Sequence, residues 1–69
     1  MTSAQANHSI MRRKDVETKT GLRRSTIYAR MQAGTFPQSV RLGENSVGWI
    51  EAEIDAWIAA RIHESRSAA

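Results

Sequence analysis

"TGLRRSTIYARMQAGTFP", residues 20–37, contains two glycines that bracket one apolar helical face. Gly21 supplies the left-handed exit at which a preceding helix stops. Gly34, followed by Pro37, closes the next one. Between them Ile27 and Met31 stand four apart, with Tyr28 beside them, so a helix over about 24–32 has one side to bury. Upstream, a shorter helix is expected over about 13–19, with Val16 facing inward and Leu22 just past the turn. Ile10 and Met11 supplement its poor apolar face from the entering chain. Two short helices joined by a tight glycine turn form a helix-turn-helix. The second opens on Arg23, Arg24, Ser25 and Thr26: cations and short hydroxyls at a helix mouth are suited to an anion.

Downstream, "SVRLGENSVGWI" (39–50) changes period. Val40, Arg41 and Leu42 alternate, as do Val47, Gly48 and Trp49, on either side of a Gly/Asn/Ser turn. The alternation predicts a two-stranded antiparallel hairpin. Such a hairpin is marginal alone and needs helices beneath it. Val40, Leu42, Val47 and Trp49 are expected on its packed face, with Arg41 pointing the other way. The closing stretch "EAEIDAWIAARIHES" (51–65) repeats apolar residues at Ile54, Trp57, Ile58 and Ile62, with Arg61 intruding, which is the strongest helical pattern in the chain. The expected core is Val16, Leu22, Ile27, Met31, Leu42, Trp49, Ile54, Trp57 and Ile58. Trp57 is read as largely buried against Ile27, Met31 and the hairpin. Each indole N–H then needs a partner or solvent.

Sixty-nine residues make one domain with a thin core. The reading is a mainly α protein with a small β-hairpin, ordered helix, helix, hairpin, helix, over residues 10–64. Residues 1–9 and 65–69 are read as flexible tails. Without cysteine there is neither a disulfide nor a thiolate zinc site. His8 and His63 stand near opposite ends, so no metal site is expected. Asp15 and Glu17 face different ways on the first helix, and no serine has a base or oxyanion hole marked out. No phosphate-cradling glycine loop is present. No catalytic residue, cofactor or small-molecule substrate is therefore expected. The longest apolar runs are only a few residues, so no membrane span is expected. The opening "MTSAQANHSI" lacks the pattern of a secretory leader, and a cytoplasmic protein is the expectation.

Charge is unevenly spread. Over residues 10–48, eight Lys/Arg (12, 13, 14, 19, 23, 24, 30 and 41) oppose three carboxylates, for +5; residues 49–69 carry −2. The basic half suits duplex DNA. A helix can enter the major groove, with its free N–H groups toward phosphate. Arg23 and Arg24 are candidates for phosphate or a guanine edge, Ser25, Thr26 and Tyr28 for phosphate, and Arg30 extends the same surface. In the wing, Arg41, Asn45 and Ser46 are placed for the backbone or minor groove. Arg12, Arg13 and Lys14 are either phosphate contacts or solvated charges, and Tyr28 serves equally as a core aromatic. A different class of function is a basic module that docks an acidic protein.

The pieces "RRKDVETKTGL", "RRSTIYARMQAGTFP", "SVRLGENSVGW" and "EAEIDAWI", in this order over residues 10–61, resemble the AlpA-like prophage transcriptional regulators. That family is related to winged-helix phage excisionases and to the MerR-type DNA-binding domain. The resemblance implies a winged helix-turn-helix that binds short duplex sites beside prophage genes, either as a transcriptional regulator or as an excisionase-like factor assisting an integrase. It points to Arg24, Ser25, Thr26 and Tyr28, and to the wing near Arg41 and Asn45. Contact with an integrase or RNA polymerase and a place on the bacterial nucleoid are further expectations; because one short recognition helix covers only a few base pairs, weak or cooperative self-association on DNA is expected as well. Two departures stand out. Arg23 stands where the family carries a capping Ser or similar residue. Arg13 and Lys19 occupy commonly apolar positions, their stems expected over the core and their charges toward water or DNA.

Overall fold

The computed structural model describes residues 9–68. In chain order it holds β1 (Ile10–Met11), α1 (Arg13–Thr20), α2 (Arg24–Ala33), β2 (Val40–Gly43), β3 (Ser46–Ile50) and α3 (Glu51–Ala68). The order helix, helix, hairpin, helix is as the period changes require, and is consistent with a winged-helix type of fold. Both glycine exits form. Gly21 turns to φ 76° and donates its N–H to Glu17 O at 2.8 Å. Gly34 turns to φ 78°; its N–H reaches Met31 O at 3.1 Å, and Thr35 N–H reaches Arg30 O at 2.9 Å. The carbonyls of Arg30 and Met31 are thereby satisfied within the turn.

The sheet has three strands, ordered β1-β3-β2, where a two-stranded hairpin was expected. Ile10 pairs with Ile50 and Met11 with Trp49, both antiparallel. Ser9 O accepts the Glu51 N–H at 2.7 Å, which ties the entering chain to the first turn of α3. On the other edge, Val40 lies opposite Gly48 and Arg41 opposite Val47, with an irregularity between Arg41 and Gly43 before the turn. Directly opposed residues share a sheet face. This register divides the expected packed face in two. Val47 and Trp49 share one side with Arg41 and Met11, while Val40 and Leu42 lie on the other with Gly48.

Leu42 is therefore not core: it is 46% exposed, on the outer sheet face. A Cβ on Gly48 would collide with Ile10 Cγ2 and come within 3.1 Å of Leu42 Cδ1, so the two side chains flank the bare glycine. Arg41 likewise shares the Trp49 side rather than pointing the other way, yet it is exposed.

Met11, Val16, Ile27, Phe36, Trp49 and Ile54 are the buried core; Leu22, Tyr28, Met31, Trp57 and Ile58 pack partly against it. Phe36 was not expected, and Met11 was expected only as a supplement to the apolar face of the first helix. Trp57 is corrected as well: it is only half-buried, and Trp49 is the tryptophan with no exposure. Ile54 is the point at which α3 meets the core. Trp57, three residues on, is rotated about 60° to the flank. There its ring meets Phe36 edge-on, with centroids 4.9 Å apart. Both indoles find carbonyls of one loop: Trp49 Nε1–H donates to Pro37 O at 3.1 Å, and Trp57 Nε1–H to Thr35 O at 2.8 Å. α3 continues through 65–68, where a tail was expected. Residues 1–8 and residue 69, the rest of the expected tails, lie outside the described residues.

Candidate nucleic-acid interface

α2 begins without a side-chain cap. Arg23, at the N-cap in extended conformation (φ −82°, ψ 159°), makes no capping hydrogen bond. The first-turn N–H groups of a helix have no intrahelical acceptor, so here they sit among exposed Arg23, Arg24 and Ser25. No acidic residue of that turn offsets the positive end of the helix. Thr26 is half-buried beside them. The guanidinium of Arg24 lies 5.8 Å from the ring centre of Tyr28. That ring packs edge-on against Trp49, with centroids 6.3 Å apart, so Tyr28 carries a core role whatever its hydroxyl meets.

Arg30 is placed differently. It stands three residues after buried Ile27, on the flank toward α3, with its guanidinium 5.9 Å over the Trp57 ring. Arg61, which pairs with Glu64 at 2.6 Å, covers the same ring at 5.6 Å. Arg30 Nε is buried and finds no hydrogen-bond partner among the described residues.

A second basic surface forms where the wing turn meets the start of α1. Arg12, Arg13, Lys14, Asn45 and Val47 line one shallow groove. The resemblance and the charge count had named the four polar members from separate segments; the fold brings them together. Arg12 and Lys14 are exposed, with no ion pair among the described residues, whereas Arg13 Nε is bound to Glu17 at 3.0 Å. Arg41 donates Nε–H to Gly43 O at 3.3 Å, holding its head at the wing; Ser46 is half-buried.

Lys19 leaves this surface. It reaches back to α3, 3.3 Å from Glu51, and pairs also with Asp55. The Asp55 hydrogen bond, opposed by desolvation and helped by Glu51, raises its pKa above 10.5. The long stems of Arg13 and Lys19 thus end in ion pairs rather than free charge. His63 is exposed on α3, and His8 lies outside the described residues. Among the exposed residues of α2, the sequence reading does not single out Ala29 and Gln32. They lie with Ser25 on the side opposite Ile27, a signal present in the 100° helical step but masked by attention to charge.

A small, mainly helical protein with a β-hairpin and two clustered basic surfaces is the class that this geometry defines. Residues 9–62 match the family described as Prophage CP4-57 regulatory protein (AlpA), and the chain belongs to that family of phage regulatory proteins. It is 47% identical over 58 residues to the DNA-binding transcriptional activator AlpA of Escherichia coli (strain K12), covering 75% of this chain and 83% of that protein. It is also 50% identical over 42 residues to uncharacterized protein ORF88 of Enterobacteria phage P4, covering 61% of this chain and 48% of the phage protein.

Proposed function

We propose that the protein is a sequence-specific duplex-DNA-binding transcriptional regulator of phage or prophage type, with α2 as its recognition helix and the hairpin as its wing. The observation that carries this reading is the uncapped mouth of α2. There Arg23, Arg24 and Ser25 are exposed around free backbone donors, with no carboxylate in the turn. An anion lying in a groove fits those donors. The groove shared by Arg12, Lys14 and Asn45 supplies a second hold on the backbone. The name of the E. coli relative, a DNA-binding transcriptional activator, supports the same reading. The element order supports kinship with winged-helix excisionases and the MerR-type DNA-binding domain. In this reading the work is binding rather than catalysis, in the bacterial cytoplasm. Because one ten-residue helix spans few base pairs, two copies pair weakly on repeated half-sites.

Selection from a randomised duplex pool, followed by fluorescence anisotropy on the selected and a scrambled duplex, tests it. Arg24→Ala should lose ~5- to 150-fold on the selected duplex and less on the scrambled one. Arg23→Ala should lose evenly on both. Failure of the wild type to prefer any duplex would refute the reading.

A further inference from the structure

We propose that Gln32, with Ala29 one turn before it, reads an A·T base pair, and that these two uncharged residues set sequence preference at the centre of the α2 face. The inference rests on the DNA-binding reading and assigns residues within it. Ser25, Ala29 and Gln32 follow one another at i, i+4 and i+7, on the side of α2 turned away from buried Ile27. All three are exposed. At 1.5 Å per residue the row is about 10 Å long, the rise of about three base pairs. The charged residues do not hold this line. Arg24 leans on Tyr28 and Arg30 on Trp57, to the two flanks of the row.

What the row lacks in charge it has in shape and donor pattern. Ala29 leaves its centre with a single methyl, so the helix can approach base edges closely. A methyl of that kind fits against the C5-methyl of thymine. The Gln32 amide offers a donor and an acceptor, the pair that matches N7 and N6 of adenine. Its side chain makes no hydrogen bond among the described residues, whereas Gln38 nearby is occupied, its Nε2–H donated to Met31 O at 2.9 Å. Gln32 is thus free to spend its amide on a base.

The experiment is a scan of the selected duplex in which each adenine in turn is replaced by 7-deazaadenine, which lacks the N7 acceptor. Wild type should lose ~5- to 150-fold at one adenine. Gln32→Ala should show that loss already on the natural duplex and be insensitive to 7-deazaadenine at that position. Ala29→Leu should weaken all duplexes, by holding the helix off the groove. Both positions are exposed, so circular dichroism melting should stay near wild type. If wild type selects a site but Gln32→Ala retains the full preference and the full 7-deazaadenine sensitivity, the assignment of Gln32 is overturned and the DNA-binding reading stands. If wild type selects no site, both fall.

Discussion

Trp49 and Trp57 are the largest side chains of the molecule, and they do unequal work. Trp49 is fully enclosed, braced by Tyr28 and anchored to Pro37 O; Trp57 lies half open between two guanidinium groups. Truncating a buried aromatic removes its transfer energy and leaves a cavity, so Trp49→Ala should cost about 3–5 kcal/mol. Trp57→Ala should cost about 1–3 kcal/mol, because its outer face already meets water and flexible stems. Chemical denaturation of the two variants checks the order; equal losses would show that Trp57 is as enclosed as its periodicity suggests. Periodicity placed Trp57 on the inner side of α3, and correctly so. It could not reveal depth, which depends on Ile54 meeting the core first. Leu42 failed differently: alternation tells which strand residues share a face, but only register says which face is inside.

At the scale of elements, the chain was most legible where punctuation and periodicity agree. Gly21, Gly34 and the Ile27/Met31 pair fixed α2 to within one residue. β1 was illegible as a strand, since two residues cannot display a period and their partners Trp49 and Ile50 lie far along the chain. Gly34 gives a clean test of the exit of α2. A Cβ there meets nothing within 4 Å, so Gly34→Ala isolates the cost of φ 78°. That cost should be about 1–2 kcal/mol, seen as a lower denaturation midpoint with unchanged slope. Gly34→Asn should lose less, because Asn tolerates the left-handed region better. α1 is held to α3 by Lys19. Its pKa is raised by Asp55 and then by Glu51, so the stabilisation is fully present below 10.5 and is lost as pH rises through the folded-state value. The gap in Tm between wild type and Lys19→Met should therefore be constant from pH 7 to 9, and close only as pH rises past the ordinary lysine value of 10.5. The absence of a gap at pH 7 would show that these pairs hold nothing.

For the whole molecule, the sequence overstates the charge available to a nucleic acid. Eight cations occupy residues 10–48, but Arg13 and Lys19 are consumed by Glu17, Glu51 and Asp55, and Arg30 is turned onto Trp57. Arg12, Lys14, Arg23, Arg24 and Arg41 remain, on α1's entry, the mouth of α2 and the wing. The mouth of α2 was legible because its arginines sit beside a glycine stop. The diversion of Arg13, Lys19 and Arg30 was not, since each depends on a partner that only folding supplies. Each phosphate neutralised releases counterions and adds about 0.9 to the slope of log K against log salt. With Arg24 given to a base edge, the other four give a slope of about −3.6 per copy, where all eight cations on phosphate would give about −7. Anisotropy titrations across salt measure this directly. The double variant Arg12→Ala/Lys14→Ala should flatten the slope by about 2, while Arg61→Ala, on the acidic half, should leave it unchanged. A wild-type slope near −7 would mean that binding breaks the Lys19 and Arg13 pairs, and then Lys19→Met would flatten it too. A slope near zero on a selected duplex would leave the basic half of the chain without its proposed partner.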